Sequence, residues 1–341
     1  MSNDPLTETR ANIDPARIIL RSPNLTEALE LFTSRLGFRV EMILPADAPR
    51  VAVVSGHGVT LRLEAETEMA ASPPPASSEE FVLSRMDAGE WKEGRAGMQY
   101  RDLIPGRLGG RFIASHIRIP DGGETPDYVH FHKVRFQMIY CKAGWARVVY
   151  EDQGPPFVLE AGDCVLQPPE IRHRVLESSA GLEVIEIACP AVHETHADHA
   201  MQLPRDQTLL GRLYGGQRFV LHRASEAKWT PWILDGFESR DTGIAAATRG
   251  MAAARVVRSA LKSAAAIETA DGSAIQYRRE FFFLFILNGE LALNSLEQGN
   301  HRLQAGDSCV LPAGISYTMQ ASTDLEMLEV RLPSEDESGA V

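Results

Sequence analysis

Three hydrophobic patterns divide this chain. Near its start, Leu25, Ala28, Leu29, Phe32 and Leu36 recur at the three- and four-residue spacing of an amphipathic helix. Asn24 stands where such a helix needs a cap, and Gly37 where it must stop. One short β run (ARIILRS) precedes this helix and three more (RVEMIL, VAVVS, VTLRLE) follow it, which predicts a β-α-β-β-β unit over residues 16–64. Beyond residue 80 the pattern changes to short alternating runs such as RFIASHIRI, ARVVYE and LEVIEIAC, separated by glycine and proline turns. That is the signature of half-buried strands in a barrel or sandwich. The third pattern is EFFFLFIL, Glu280–Leu287, whose apolar residues run without alternation, as in a strand buried on both faces.

The strand-rich region repeats itself. FVLSRMDAGEW at 81–91 recurs as FVLHRASEAKW at 219–229, and Arg101-Asp102 recurs as Arg240-Asp241. Gly144, Gly162 and Pro168 are echoed by Gly289, Gly306 and Pro312. Two copies of a unit of about 120 residues account for these echoes. Between the first unit and the repeats lies ASPPPASS, Ala71–Ser78, a semi-rigid linker by composition. The expected division is therefore a small α+β module at 1–70, a linker at 71–79, a first β unit at 80–200, a second at 201–333, and a solvated acidic tail at 334–341.

The first β unit carries the candidate chemistry. His130 and His132 are separated by one residue, so on a strand their imidazoles share a face, about 7 Å apart along the backbone. Gln137 and His173 follow, and three histidines with one amide oxygen can close around a divalent metal. The second copy has no such set: the matching positions are Ile275, Tyr277, Phe282 and Tyr317.

These residues resemble the two boxes of the cupin superfamily. His130, His132, Gln137 and Gly144 stand for the first box, and Gly162, Pro168 and His173 for the second. The chain departs from the family pattern at Gln137, where Glu is usual, at Glu170, where Gly is usual, and at Glu177, where Asn is common. The first unit, with LGF after its helix, resembles one half of a glyoxalase/bleomycin-resistance module. There the family's first-strand ligand falls near Arg17, a poor ligand, and Glu64 alone makes no site, so a structural or dimerising role is expected. Together the resemblances imply a mainly β fold: two tandem cupin-type jelly-roll barrels preceded by a small α+β (βαβββ) glyoxalase-like module.

The cupin resemblance further implies one divalent metal ion per chain, held by His130, His132 and His173 with Gln137 variable. Fe comes first, with Ni, Zn, Mn and Cu open. It implies a metal-dependent dioxygenase acting on a small anionic or catecholic/enolic substrate. A Zn- or Mn-dependent Lewis-acid isomerase or hydrolase is the alternative, and a non-catalytic sensor of a small ligand a third reading. Around the metal, His116 and Arg118 are candidates to hold an anionic substrate, Tyr128 and Tyr140 to donate to a metal-bound oxygen, and Glu170 to act as a general base. Packing or surface roles compete with each. HETHADH, His193–His199, is expected to be a solvated segment joining the barrels.

Charge and composition narrow the partners. A net charge of −12 opposes non-specific nucleic-acid binding. No apolar run approaches the ~20 residues of a membrane span, and MSNDPLTETR lacks the order of a secretory leader. The four cysteines each sit in an apolar run, as free thiols do in a reducing cytosol. A cytoplasmic homodimer with a small-molecule substrate is expected.

Overall fold

A computed structural model describes residues 18–66, 81–94, 97–260, 275–276 and 280–333. The expected linker at 71–79, the acidic tail, Arg17 and Tyr277 lie outside the described residues.

The first unit has the predicted element order. Helix Leu25–Glu30, continued by the wider turn Leu31–Arg35, packs against the strands Arg39–Leu44, Val51–Gly56 and Val59–Ala65. Asn24 caps it: its side-chain oxygen accepts from the Glu27 amide at 3.2 Å, and its own amide donates to the Glu27 carboxylate at 2.8 Å. The opening strand Ile18–Ser22 lies parallel to Val59–Ala65. Glu64 is held by Arg62 at 2.6 Å.

Two barrels follow. In the first, one sheet centres on Phe136–Ala143 and Leu182–Cys189, and the other on His130–His132, His173–Ser178 and Trp145–Tyr150. This second sheet runs on through Thr195–Ala197 into Arg39–Leu44, so the N-terminal module and the first barrel share one sheet. HETHADH is therefore not a solvated joint. Its middle is a strand paired on both sides, with Thr195 buried.

The second barrel repeats the first. Phe281–Asn288 and Glu326–Leu332 replace Phe136–Ala143 and Leu182–Cys189. Even the equivalent ligand-strand register recurs: His130 pairs with His173, and Ile275 with Tyr317. The repeated motifs are exchanged between the barrels. Val82–Ser84 pairs with Ser308–Val310 in the second, and Val220–His222 pairs with Cys164–Leu166 in the first. Each incoming strand is fixed by an aspartate. Asp307 accepts from Arg85 and the Met86 amide at 2.8 Å each, and Asp163 from Arg223 at 2.7 Å and the Ala224 amide at 2.9 Å. Gly162 and Gly306, both at φ +91°, make these close approaches possible, because a Cβ on either would lie 2.9 Å from a neighbouring carbon.

The apolar run Phe281–Asn288 shows why it lacks alternation. Phe281, Phe283 and Phe285 face the first barrel, while Phe282, Leu284 and Ile286 fill the second. Phe281 stacks on Phe112 of the first barrel at 4.1 Å.

Candidate metal centre

Strand alternation and pairing bring the three histidines together. His130 and His132 share a face of one strand, and the register sets His173 beside His130. The ligand-type atoms of all three lie within 4.8 Å of one another, and ring centroids are 4.3–5.2 Å apart. Each ring is tethered through Nδ1. That of His130 donates to the Tyr128 carbonyl at 2.9 Å, and that of His173 to the Ile171 carbonyl at 3.0 Å. That of His132 meets the Thr195 hydroxyl at 2.8 Å. A proton on Nδ1 leaves the Nε2 lone pair for a metal, the arrangement found in histidine-ligated sites. The donor set therefore fits a divalent ion that accepts imidazole.

Gln137 is buried in the same wall. Its amide nitrogen donates to Glu186 at 2.6 Å, so its carbonyl oxygen turns the other way. The histidines and Gln137 line a cavity of about 160 Å³. His193, Tyr150, Gln167, Asp127 and Glu186 also line it, as do Ala46 and Asp47 from the N-terminal module. Asp47 is paired there with Arg107 of the barrel. Tyr150 stacks on His173 at 5.3 Å, and its hydroxyl donates to Gln167. Burial pushes the Tyr150 phenol up, so it stays protonated.

The structure does not bring the other candidates to this wall. On Ile113–Ile119 the residues Ile113, Ser115, Ile117 and Ile119 face the cavity, and alternation turns His116 and Arg118 the other way. His116 is buried at the barrel junction against Glu183, Trp91 and Phe285, and Arg118 lies over Trp91 at 4.0 Å. Glu170 is exposed on the turn before His173, at φ +62°, the conformation for which glycine is usual there. Its backbone amide, not its carboxylate, reaches the site, donating to the His132 carbonyl at 3.0 Å. Tyr128 serves His130 through its carbonyl, with its ring edge-on at 6.1 Å. The hydroxyl of Tyr140 points to Arg240 of the second repeat at 3.3 Å.

Pattern reading does not single out Thr195, Glu186, Tyr150 or Gln167, and it assigns His193 to a solvated segment, whereas His193 lines the cavity. Glu186 carried a signal: it is the acidic member of the inward series Leu182, Val184, Glu186 on LEVIEIAC.

In the second barrel two of the four corresponding positions are described with their side chains, and both hold large buried rings. Tyr317 and Phe282 occupy the His173 and Gln137 positions, each 1% exposed. Glu329, the counterpart of Glu186, is neutralised by Arg331 at 2.6 Å.

Residues 115–187 match the family model of the cupin domain. That stretch lies within the first barrel. No curated protein matches the sequence. Among solved structures, an oxalate decarboxylase from Bacillus subtilis is similar at TM-score 0.53 and 14% identity, over 75% of this chain and 78% of that one. Structures of that protein are described with Mn(II) centres. The oxalate decarboxylase of Lactobacillus farciminis, as its formate complex, is similar at TM-score 0.52 and 12% identity, over 74% of this chain and 86% of that one. Protein Ylba from E. coli is similar at 0.51 and 13%, over 77% of this chain and 94% of that one. At these identities the likeness concerns the fold of the paired cupin barrels alone.

Proposed function

We propose that this chain is a metal-dependent enzyme that acts on a small molecule in its first barrel, with His130, His132 and His173 as ligands and Gln137 as the fourth. One observation carries the reading: three imidazoles, each tethered through Nδ1, converge on a cavity whose counterpart positions in the twin barrel hold Tyr317 and Phe282. When bound, Fe(II) supplies a centre where a chelating substrate and O₂ meet, and dioxygenation is the first reading of the reaction. This chain's own residues bind and shield. Gln167 offers an amide donor toward the head of a substrate, Tyr150 holds Gln167 in place, and the aliphatic wall excludes water.

A second reading, a Lewis-acid enzyme using Mn or Zn without O₂, draws on Gln137. A neutral fourth donor leaves the charge of the ion undiminished. Mn also serves the Bacillus subtilis structural neighbour.

The N-terminal unit fits a glyoxalase-like half-module with a structural role, contributing Ala46 and Asp47 to the cavity wall. The proposal includes a cytoplasmic homodimer. The four cysteines are buried and free, and the edge strand Ile18–Ser22 exposes Ile18, Ile19 and Leu20. Among the described residues no helix is long and apolar enough to cross a membrane.

Elemental analysis of the purified protein beside His132→Ala tests the site. About one ion per chain in the wild type and loss in the variant is expected, and equal metal in both would end the ligand assignment. An aerobic and anaerobic screen of catechols, salicylates and diketones then separates the two chemistries: O₂ uptake marks the first and anaerobic turnover the second.

A further inference from the structure

The cavity is built in two layers. Along the strands that form it, inward positions change from polar to aliphatic in steps of two. Gln137 is followed by Ile139 and His173 by Val175, while Val184 precedes Glu186 and Val148 precedes Tyr150. The registers match: Tyr150 pairs with His173, and Val148 with Val175. The histidines thus sit at one end of an aliphatic chamber.

At four of the inward positions the second barrel carries bulkier residues. Its strand pairing equates Val148 and Val175 with Leu293 and Met319. By the same registers Ala146 corresponds to Leu291 and Val184 to Met327. Every one of these counterparts is larger, and all four are 0–1% exposed within one packed cluster. Gln167 likewise corresponds to Leu311, since each donates its amide to the carbonyl of the equivalent residue, Gln137 or Phe282. The first barrel's cavity, about 160 Å³, is close to the ~150 Å³ of an apolar protein cavity that accepts benzene.

The carboxylates of the chamber, those of Asp47, Asp127 and Glu186, have no lysine or arginine beside them in its described lining. Gln167 is 2% exposed, its oxygen accepts from Tyr150, and its amide nitrogen is buried without a hydrogen-bond partner. A buried donor of this kind calls for an acceptor.

We infer that the site takes a ligand with one oxygen-donor head, placed between the three histidines and the Gln167 amide, and an uncharged apolar body of about six carbons in the aliphatic layer. A compact dianion with a second anionic end is a poor fit, because that end meets aliphatic walls and carboxylates, and no lysine or arginine is among the described lining residues to receive it. The inference rests on the proposed metal site and specifies what that site binds.

Three hydroxamates test it, since they share one chelating head: acetohydroxamate, benzohydroxamate and 4-carboxybenzohydroxamate. Full-length protein is loaded with Zn, its metal content is fixed by elemental analysis, and each probe is titrated calorimetrically. Benzohydroxamate is expected to bind at least about tenfold more tightly than acetohydroxamate. The added carboxylate should remove that gain. Ala146→Leu and Val175→Met, which introduce the second barrel's residues, should keep the metal and abolish the preference. Val148→Leu serves if either fails to fold. Equal affinity of the first two probes in Zn-loaded wild type overturns the inference and leaves the metal site standing. A preference that survives the filled variants overturns the placement of the body. Absence of bound Zn, seen before any probe is added, overturns both readings.

Discussion

Single side chains decide whether the imidazoles can act together. The Thr195 hydroxyl, 2.8 Å from His132 Nδ1, orients the least buried of the three rings. Thr195→Val keeps the shape and removes the partner, so metal affinity should fall about 10- to 100-fold while the fold persists. Thr195→Ser should restore it. Competition against a chromophoric chelator measures the affinity, and an unchanged Thr195→Val constant would show that the hydroxyl does not support the ring. Gln137 is intelligible at the same scale. Glu186 accepts its amide at 2.6 Å, and a carboxylate at 137 would set two like charges at hydrogen-bond distance.

Between elements, three strands of the first barrel are tied by a polar group unrelated to the cavity. His116 on Ile113–Ile119 meets Arg101 of Gln99–Asp102 at 3.4 Å and Glu183 of Leu182–Cys189 at 2.8 Å. Burial holds His116 below the usual histidine range, so its neutral ring donates Nε2–H to Glu183 and presents Nδ1 to Arg101. Hydrogen bonds from His116 and Lys142 hold Glu183 down at about 2. Both groups bind fewer protons folded than unfolded, so acid destabilises the fold. The loss should begin as pH falls through the ordinary histidine value of 6.5 and grow from 4.5 toward 2 as Glu183 is protonated. Urea midpoints measured across this range check it. Glu183→Gln should flatten the lower part of the curve, and a variant profile parallel to wild type would refute the assignment.

At the scale of the whole molecule, the barrels are bound into one cooperative body. Each repeat gives its leading strand to the other barrel. The repeats also exchange buried arginines: Arg101 donates to the Gly306 carbonyl at 2.6 Å, and Arg240 to that of Gly162 at 3.0 Å. Phe112 and Phe281, stacked at 4.1 Å, lie in a core drawn from both. Calorimetry should therefore show both barrels melting in one transition. Phe112→Ala should lower that single transition by about 3–5 kcal/mol of stability rather than split it. Two separable transitions, in wild type or variant, would show that the barrels fold independently.

The chain's periodicities alone specify its kinds of element. Asn24 and Gly37 bound the first helix, alternation marks the strands, and the echo from 81–91 to 219–229 marks the two repeats. The spacing of His130, His132 and His173 likewise marks the candidate ligands, because local geometry fixes which side chains share a strand face. Sequence could not say which face of Ile113–Ile119 turns inward, and so it left His116 as one candidate for holding a substrate, where the structure sets it against Glu183 at the barrel junction. Nor could it show that Thr195, sixty-three positions from His132, would hold that ring, or that the repeats would trade strands. Those outcomes depend on pairing register and on which apolar surfaces meet, and both are settled only when distant segments compete for the same core.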